Sequence, residues 1–302
     1  MKKIYSICLL ALICAHYNAF GQSAADTMHF WKKSALTEIN FNQANLTNWQ
    51  GGGQNTIAVA GFLHFTADYK RNEHSWCSKL DAAYGVVKLG GKDVPFLKSD
   101  DELKISSNYR RTLREDLSFS VSGDFKTTFA PGYKYGKDSV GNPVRQEKLS
   151  EFMSPGYLIM GTGLEFKPKG DIFFAIFSPI ATRITIITND SMAAVGMYGV
   201  PAGQHVRVEF GEDLKVGLKW PIMQNVLLES GIELFGNYKH VQQQVVDWSN
   251  DLSFKVNSIF TAKIGTRLIY DQDIAVKRDN GSVGPAVQFK EVIALGIQYK
   301  LY

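Results

Sequence analysis

The chain has 302 residues, 45% of them hydrophobic and 12% aromatic, with 33 Lys and Arg against 29 Asp and Glu. A net charge of +4 argues neither for nucleic acid nor for an acidic partner, and three cysteines exclude a disulfide scaffold. Beyond the N-terminus no run reaches the roughly eighteen apolar residues of a membrane helix, so entry into a bilayer requires a closed barrel.

Lys2 and Lys3 precede an apolar run from Ile4 to Ala15, followed by Ala19, Phe20 and Gly21. This is the pattern of a secretory signal peptide, here residues 1–21. Cys14 follows Leu12 and Ile13 rather than the small residue a lipid-anchoring site requires. Cleavage removes Cys8 and Cys14, leaves Cys77 alone and lowers the net charge to about +2. Residues 22–33 read as a short periplasmic lead, and 34–302 as the barrel.

From there the chain falls into segments with apolar residues at alternate positions, the period that puts them on one face of a strand. The longest such run is 117–129. Leu117, Phe119, Val121, Phe125 and Phe129 share one face, and Ser118, Ser120, Ser122, Asp124, Lys126 and Thr128 the other. Similar segments lie near 35–46, 55–70, 75–89, 102–113, 156–167, 172–187, 205–219, 226–238, 246–257, 261–270 and the C-terminal end. That makes about twelve strands, and no helical period of any length. The connections alternate: short near 71–74, 113–116, 167–171, 221–225 and 257–260, longer near 47–53, 90–101, 130–155, 188–203, 239–245 and 271–284. Short turns on one side and long loops on the other are the habit of outer-membrane barrels. The expected fold is therefore all-β, a transmembrane antiparallel β-barrel of about twelve strands with both termini periplasmic, in the cell outer membrane.

Two segments fit less simply. On 205–219 the lipid-facing set of Val206, Val208, Phe210, Leu214, Val216 and Leu218 would include Glu212, unless a bulge at Gly211 turns it inward. Segment 172–187 is apolar on both faces and contains Pro179, which cannot donate to a ladder; it is expected to bend or to pack against something inside.

The chain ends on Ile293, Leu295, Ile297, Tyr299 and Leu301 at alternate positions, then Tyr302. Gly296, Tyr299, Leu301 and Tyr302 resemble the C-terminal sorting signal of bacterial outer-membrane proteins, with the last aromatic one step out of alternation. The resemblance implies the barrel assembly machinery as a partner in biogenesis, besides outer-membrane lipid. Asn48-Trp49-Gln50-Gly51-Gly52-Gly53, the turn Trp220–Asn225, the stretch 246–272 and Gln288–Val292 together resemble a family of Bacteroidota outer-membrane barrels known as domain of unknown function 3078. That resemblance implies location and fold, and brings no catalytic or binding residues. Asp26-Thr27-Met28, Asp138-Ser139-Val140 and Asp190-Ser191-Met192 resemble the short O-glycosylation acceptor pattern of that phylum.

The lumen-facing set carries both signs of charge, and Asp124, Lys126, Asp251, Lys255, Lys263 and Arg267 are the residues expected to line a pore. The competing reading is that facing pairs neutralise one another and plug the lumen, leaving a scaffold or partner subunit of a membrane complex. Trp76, Trp220, Trp248, Tyr270 and Tyr302 fall near strand ends, where interfacial aromatic girdles sit. Trp49 and Tyr198, in long loops, are the alternative for a sugar-stacking platform. A surface lipid hydrolase would use His205 or His240 with Ser191 nearby, but no spacing requires it. No metal or cofactor is implied: Asp271, Asp273 and Asp279 lack EF-hand spacing, and Gly51–Gly53 precede no helix that could bind phosphate.

Overall fold

The computed structural model describes residues 30–44, 56–90, 95–137, 139, 143–170, 172–242, 244–278 and 282–300. Residues 1–21, expected as a signal peptide, most of the expected lead, the Asn48–Gly53 motif, Leu301 and Tyr302 lie outside them.

Twelve strands close into one antiparallel barrel. In chain order they are β1 (Trp31–Ala44), β2 (Thr56–Arg71), β3 (His74–Leu89), β4 (Leu97–Thr112), β5 (Leu117–Thr127), β8 (Gly156–Phe166), β9 (Phe173–Ile186), β10 (Val206–Met223), β11 (Val226–Asn237), β12 (Gln244–Lys255), β13 (Phe260–Asp271) and β16 (Gln288–Lys300). Each pairs with its neighbours in sequence, and β1 pairs with β16 to close the cylinder. The remaining strands decorate two loops as hairpins: β6 (Gly132–Lys137) with β7 (Pro143–Ser150), and β14 (Val276–Lys277) with β15 (Val283–Gly284).

The period of two sets the inside and the outside. On β5, Ser120 and Ser122 are buried while Phe119 and Val121 are exposed. A polar inner face and an apolar outer face are what a strand between lumen and lipid needs. The same belt runs around the barrel through Ile39, Phe41, Ile180, Val208, Phe210, Ile293 and Leu295, with Ile180 and Leu295 each 70% exposed. Connections on one side are short, and those on the other are long and carry the hairpins. Both ends of the barrel chain, Trp31 and Lys300, lie on the short-turn side, since Trp31 is opposite Tyr69 and Lys300 opposite Leu36.

Several details differ from the sequence expectation. β1 begins at Trp31, inside the stretch read as a lead, because Trp31 packs its ring 5.2 Å from that of Tyr69 across the β1–β2 ladder. β4 begins at Leu97 rather than 102, after a register shift opposite Gly85 and Val86: Asp100 and Asp101, read as loop, belong to the strand, Asp100 lining the lumen beside Glu102 and Asp101 accepting from the Phe129 and Ala130 N–H groups. β5 stops at Thr127, short of Thr128 and Phe129. Loop 188–203 contains a one-and-a-half-turn helix, α1 (Asp190–Val195), where no helix was expected. Asn189 caps its N-terminus by accepting from Met192 N, and Gly196 ends it at φ 72°.

The bulge lies on β9, not at Gly211. Between Gly211↔Ala181 and Asp213↔Ser178, β9 advances one residue further than β10, so Pro179 and Ile180 bulge out. The β10–β11 ladder runs unbroken from Gly211 to Pro221. Glu212 therefore stays on the outer face, exposed beside Phe210. Gly211 is glycine for another reason: a Cβ there would come within 1.8 Å of the Gly236 carbonyl oxygen.

Candidate functional site

Three polar networks succeed one another along the lumen. Nearest the short turns, Arg110 Nη1 donates to Glu165 Oε1 at 2.8 Å, and Asn108 Nδ2 donates to the other carboxylate oxygen, also at 2.8 Å. Ser120 in turn donates to Asn108 Oδ1. Glu165 is buried, so its charge is tolerated because both oxygens are paired.

The second network crosses the lumen. Arg267 on β13 grips Asp247 with Nε at 2.8 Å and Nη2 at 2.5 Å, and its Nη1 reaches Glu102 on β4 at 2.6 Å. Lys126 on β5 lies 3.2 Å from Asp247 and 3.4 Å from Glu102. Along the shorter arc four strands separate β4 from β13, and four separate β5 from β12, so these bonds bridge nearly opposite walls. Beside them Lys215 on β10 is bound to Asp124 on β5, and lies 3.3 Å from Asp213 and 3.4 Å from Glu233. Lys104 faces the same group. The bridging groups remain wet: the side chains of Lys126, Glu102, Arg267 and Asp247 are 26–29% exposed.

The third network lies toward the long loops and is dry. Arg183 Nη2 donates to Asp271 at 2.6 Å, its Nη1 is 3.4 Å from Glu209, and its guanidinium lies over the Tyr157 ring. Arg207 joins Glu209 and Asp273 at 2.9 and 2.8 Å. Asp271 and Asp273, weighed above as calcium ligands, are thus turned onto arginines. Among the described residues no cluster of His, Cys, Asp and Glu is arranged for a metal.

A cavity of about 930 Å³ occupies the lumen, lined from β1–β5, β10–β13 and β16, among others by His64, Asp81, Glu102, Asp124, Asp251 and Arg267. A smaller one of about 170 Å³ lies toward the long loops, lined by Lys126, Tyr157, Arg183, Phe235 and Asp271. Lys104, Asp124, Glu233 and Asp247 line both, so the crossing network stands between them.

Of the six residues expected along a pore, Asp124, Lys126 and Arg267 meet in the crossing network. Asp251 and Lys263 pair with each other at 3.2 Å on the cavity wall. Lys255 stands apart, exposed at the last position of β12 beside the short turn. Glu102, Lys215, Asp213, Glu233, Asp247, Arg183 and Glu209 complete the networks. Glu102 stood at the first position of an expected strand without being singled out, and Arg183 lay in a segment that reads as apolar on both faces. Trp76 and Trp220 are exposed near short turns, and Tyr270 lies at the long-loop end of β13, its hydroxyl donating to Gln272. Trp248 is exposed further along its strand, with Nε1 donating to Ser230. Gly296 and Tyr299 lie on β16.

Of the hydrolase candidates, His205 pairs Nδ1 with the Ile187 carbonyl at 2.7 Å, and its Nε2 lies 3.7 Å from the exposed carboxylate of Asp190 rather than on a serine hydroxyl. Tyr198 is not an open sugar platform: its ring packs on the buried Ile187, Met192, Ala193 and Val200, and its hydroxyl donates to Leu149 O.

No curated protein matches the chain. Among solved structures it is similar to an outer membrane channel from Pseudomonas putida F1 (12% identity, 92% of this chain and 99% of that chain covered, TM-score 0.39). It is also similar to the CymD monoaromatic hydrocarbon channel (11% identity, 89% and 87% covered, TM-score 0.34) and the NanC porin (7% identity, 88% and 97% covered, TM-score 0.36). By sequence, residues 41–133, which include Asn48–Gly53 but not 246–272, match the model of the family described as Protein of unknown function (DUF3078).

Proposed function

We propose that this barrel sits in the outer membrane with its short turns and both termini in the periplasm, and passes small polar solutes along its lumen through a charged constriction. The apolar outer belt and the sorting of loops by length support the location. The C-terminal pattern Gly296, Tyr299, Leu301 and Tyr302 supports delivery by the barrel assembly machinery, after removal of residues 1–21. The observation that carries the channel reading is that the crossing ion pairs are a quarter exposed and border a cavity of about 930 Å³. A plug made only to seal would be dry, as the Arg183 network is. Rings of charge facing water are how wide-lumen barrels select ions.

The test is single-channel conductance of the refolded protein from residue 22 onward in a planar bilayer. Wild type is expected to pass a small, salt-dependent current. Lys126→Glu and Arg267→Glu each reverse a charge in the constriction, so both are expected to shift preference toward cations. A folded barrel that passes no current, alone or with either substitution, would sink this reading. It would favour a plugged scaffold or partner subunit, for which the wall-to-wall bridges and the outward Glu212 are the supporting observations. No step requires a nucleophile or a cofactor, and the protein is read as non-enzymatic.

A further inference from the structure

Among the described residues, the β1–β16 seam is paired over only part of its length. β1 and β16 pair from Leu36↔Lys300 to Phe41↔Leu295 and no further. Yet β16 continues to Gln288, paired with β13 as far as Ile269↔Gln288. β1 continues to Ala44, paired with β2 as far as Ala44↔Thr56. Among the described residues, then, the three rungs that would join 292–294 of β16 to 42–44 of β1 are missing; the register places 288–291 opposite 45–48, which lie outside the described residues. This split occupies the long-loop half of the seam. Phe41 below it and Ile293 along it are exposed on the outer face, and the next outward residue of β16 is Glu291.

The large cavity reaches this split. Its lining includes Asn40, Phe41 and Asn42 on one edge and Val292, Ile293 and Ala294 on the other. Phe41 and Ile293 belong to the outer face, so a cavity they border communicates with the exterior between them. Strand edges with unpaired amides and carbonyls are not tolerated against hydrocarbon, but they are where they border a water-filled cavity. The opening thus has an outer lip of Phe41 and Ile293 with Glu291 beside it, and a charged interior. Besides His64, the cavity is lined by nine carboxylates and five Lys or Arg, and with Lys98 and Lys126, which pair with Asp101, Glu102 and Asp247, the carboxylates still outnumber the cations nine to seven, so the interior favours positive charge.

We infer that the split between β1 and β16 is a lateral portal through which an amphiphile with a cationic head and an apolar chain enters the cavity, its head among the carboxylates and its chain between Phe41 and Ile293. This portal is separate from the axial path proposed above and does not require it.

The test uses the protein in phosphatidylcholine vesicles and a dodecyltrimethylammonium probe with a diazirine near the end of its chain. After photolysis the labelled residues are mapped by mass spectrometry. Labelling at 39–44 and 288–295 is expected to exceed that at Val208 and Phe210, on the far side of the belt, by tenfold or more. Even labelling around the belt overturns the portal, and needs no variant. A probe with the same chain and a sulfonate head is expected to label the seam at least tenfold less. Equal labelling overturns the cationic preference. Asn42→Cys with Ala294→Cys, in a Cys77→Ser background, continues the β1–β16 register as a disulfide. Oxidation should lower seam labelling about tenfold and reduction should restore it; labelling unchanged by a formed disulfide overturns the portal. Conductance recorded on the same samples reports the axial path separately.

Discussion

Arg183 has a side chain only 4% exposed and faces two carboxylates, Glu209 and Asp271, that are equally buried. Removing a cation from such a group leaves charges without partners in a poor solvent for them, which costs more than the pair itself contributes. Arg183→Met keeps the bulk and is expected to lower the unfolding free energy of the reconstituted barrel by about 3–5 kcal/mol, read by urea titration of tryptophan fluorescence. Lys219 and Glu229 pair at 2.8 Å with side chains about half exposed, so Lys219→Ala should cost no more than about 1 kcal/mol in the same assay. Equal losses would mean that the dry network is not a stabilising element. None of the cross-lumen partners could be read in advance. That Asp124 and Arg267 face inward follows from alternation. That Arg267 finds Glu102, 165 positions away, depends on which strands stand opposite once the barrel has closed.

At the scale of elements, the strands were largely legible because period two survives wherever one face meets lipid and the other water. Legibility failed where that contrast failed. Asp100 and Asp101 look like loop because acidic residues cluster in loops, yet here Asp100 pairs with Lys290 and Asp101 accepts from Lys98 and from the Phe129 and Ala130 N–H groups. β9 hides its bulge because both its faces are apolar around Pro179. The close approach of strands there was equally invisible. A Cβ at Gly163 would lie 1.9 Å from the Phe177 carbonyl oxygen, and one at Gly211 would lie 1.8 Å from that of Gly236, whereas at Gly61 nothing lies within 4 Å. Backbone cannot yield as a side chain can, so Gly163→Ala and Gly211→Ala should each cost about 1–3 kcal/mol, and Gly61→Ala should be near neutral. Refolding yield by heat-modifiable gel mobility separates the three, and equal yields would refute the close approach. Glu212 makes the opposite prediction. With Gly211 unbulged it stays on the lipid face, so Glu212→Leu should raise stability by up to about 1 kcal/mol in vesicles. A loss instead would point to a protein neighbour at that face.

The whole molecule joins a barrel to a layer of long loops, and the two have different sources of stability. The barrel is a continuous ladder, closed except at the seam. The layer rests on a small apolar cluster of Ile187, Met192, Ala193 and Val200, and on a few polar ties between the loop after β7 and the α1 segment. Ser154 is the centre of these ties: it is fully buried, and its hydroxyl oxygen accepts from the backbone N–H groups of Thr188 and Asn189, each at 2.9 Å. Glu151 adds a second tie, accepting from Asn189 Nδ2 at 2.6 Å and from Lys148 at 2.8 Å. The Lys148 ammonium first, and the Asn189 amide second, hold the Glu151 carboxyl below its ordinary value. Its contribution is therefore complete above the unfolded glutamate range and is lost as pH falls through the lowered value. Glu151→Gln imitates that protonated state at neutral pH. Hydrogen exchange should show faster exchange over 188–200 in Ser154→Ala, because the Asn189 N–H loses its acceptor and the Thr188 N–H keeps only the Met153 carbonyl, 3.1 Å away. A smaller increase is expected in Glu151→Gln, whose tie is largely solvated, and none in the β4–β5 or β12–β13 ladders in either variant. Exchange that rises in those ladders too would show that the loop layer and the barrel unfold as one unit, and that the cap is part of what holds the cylinder closed.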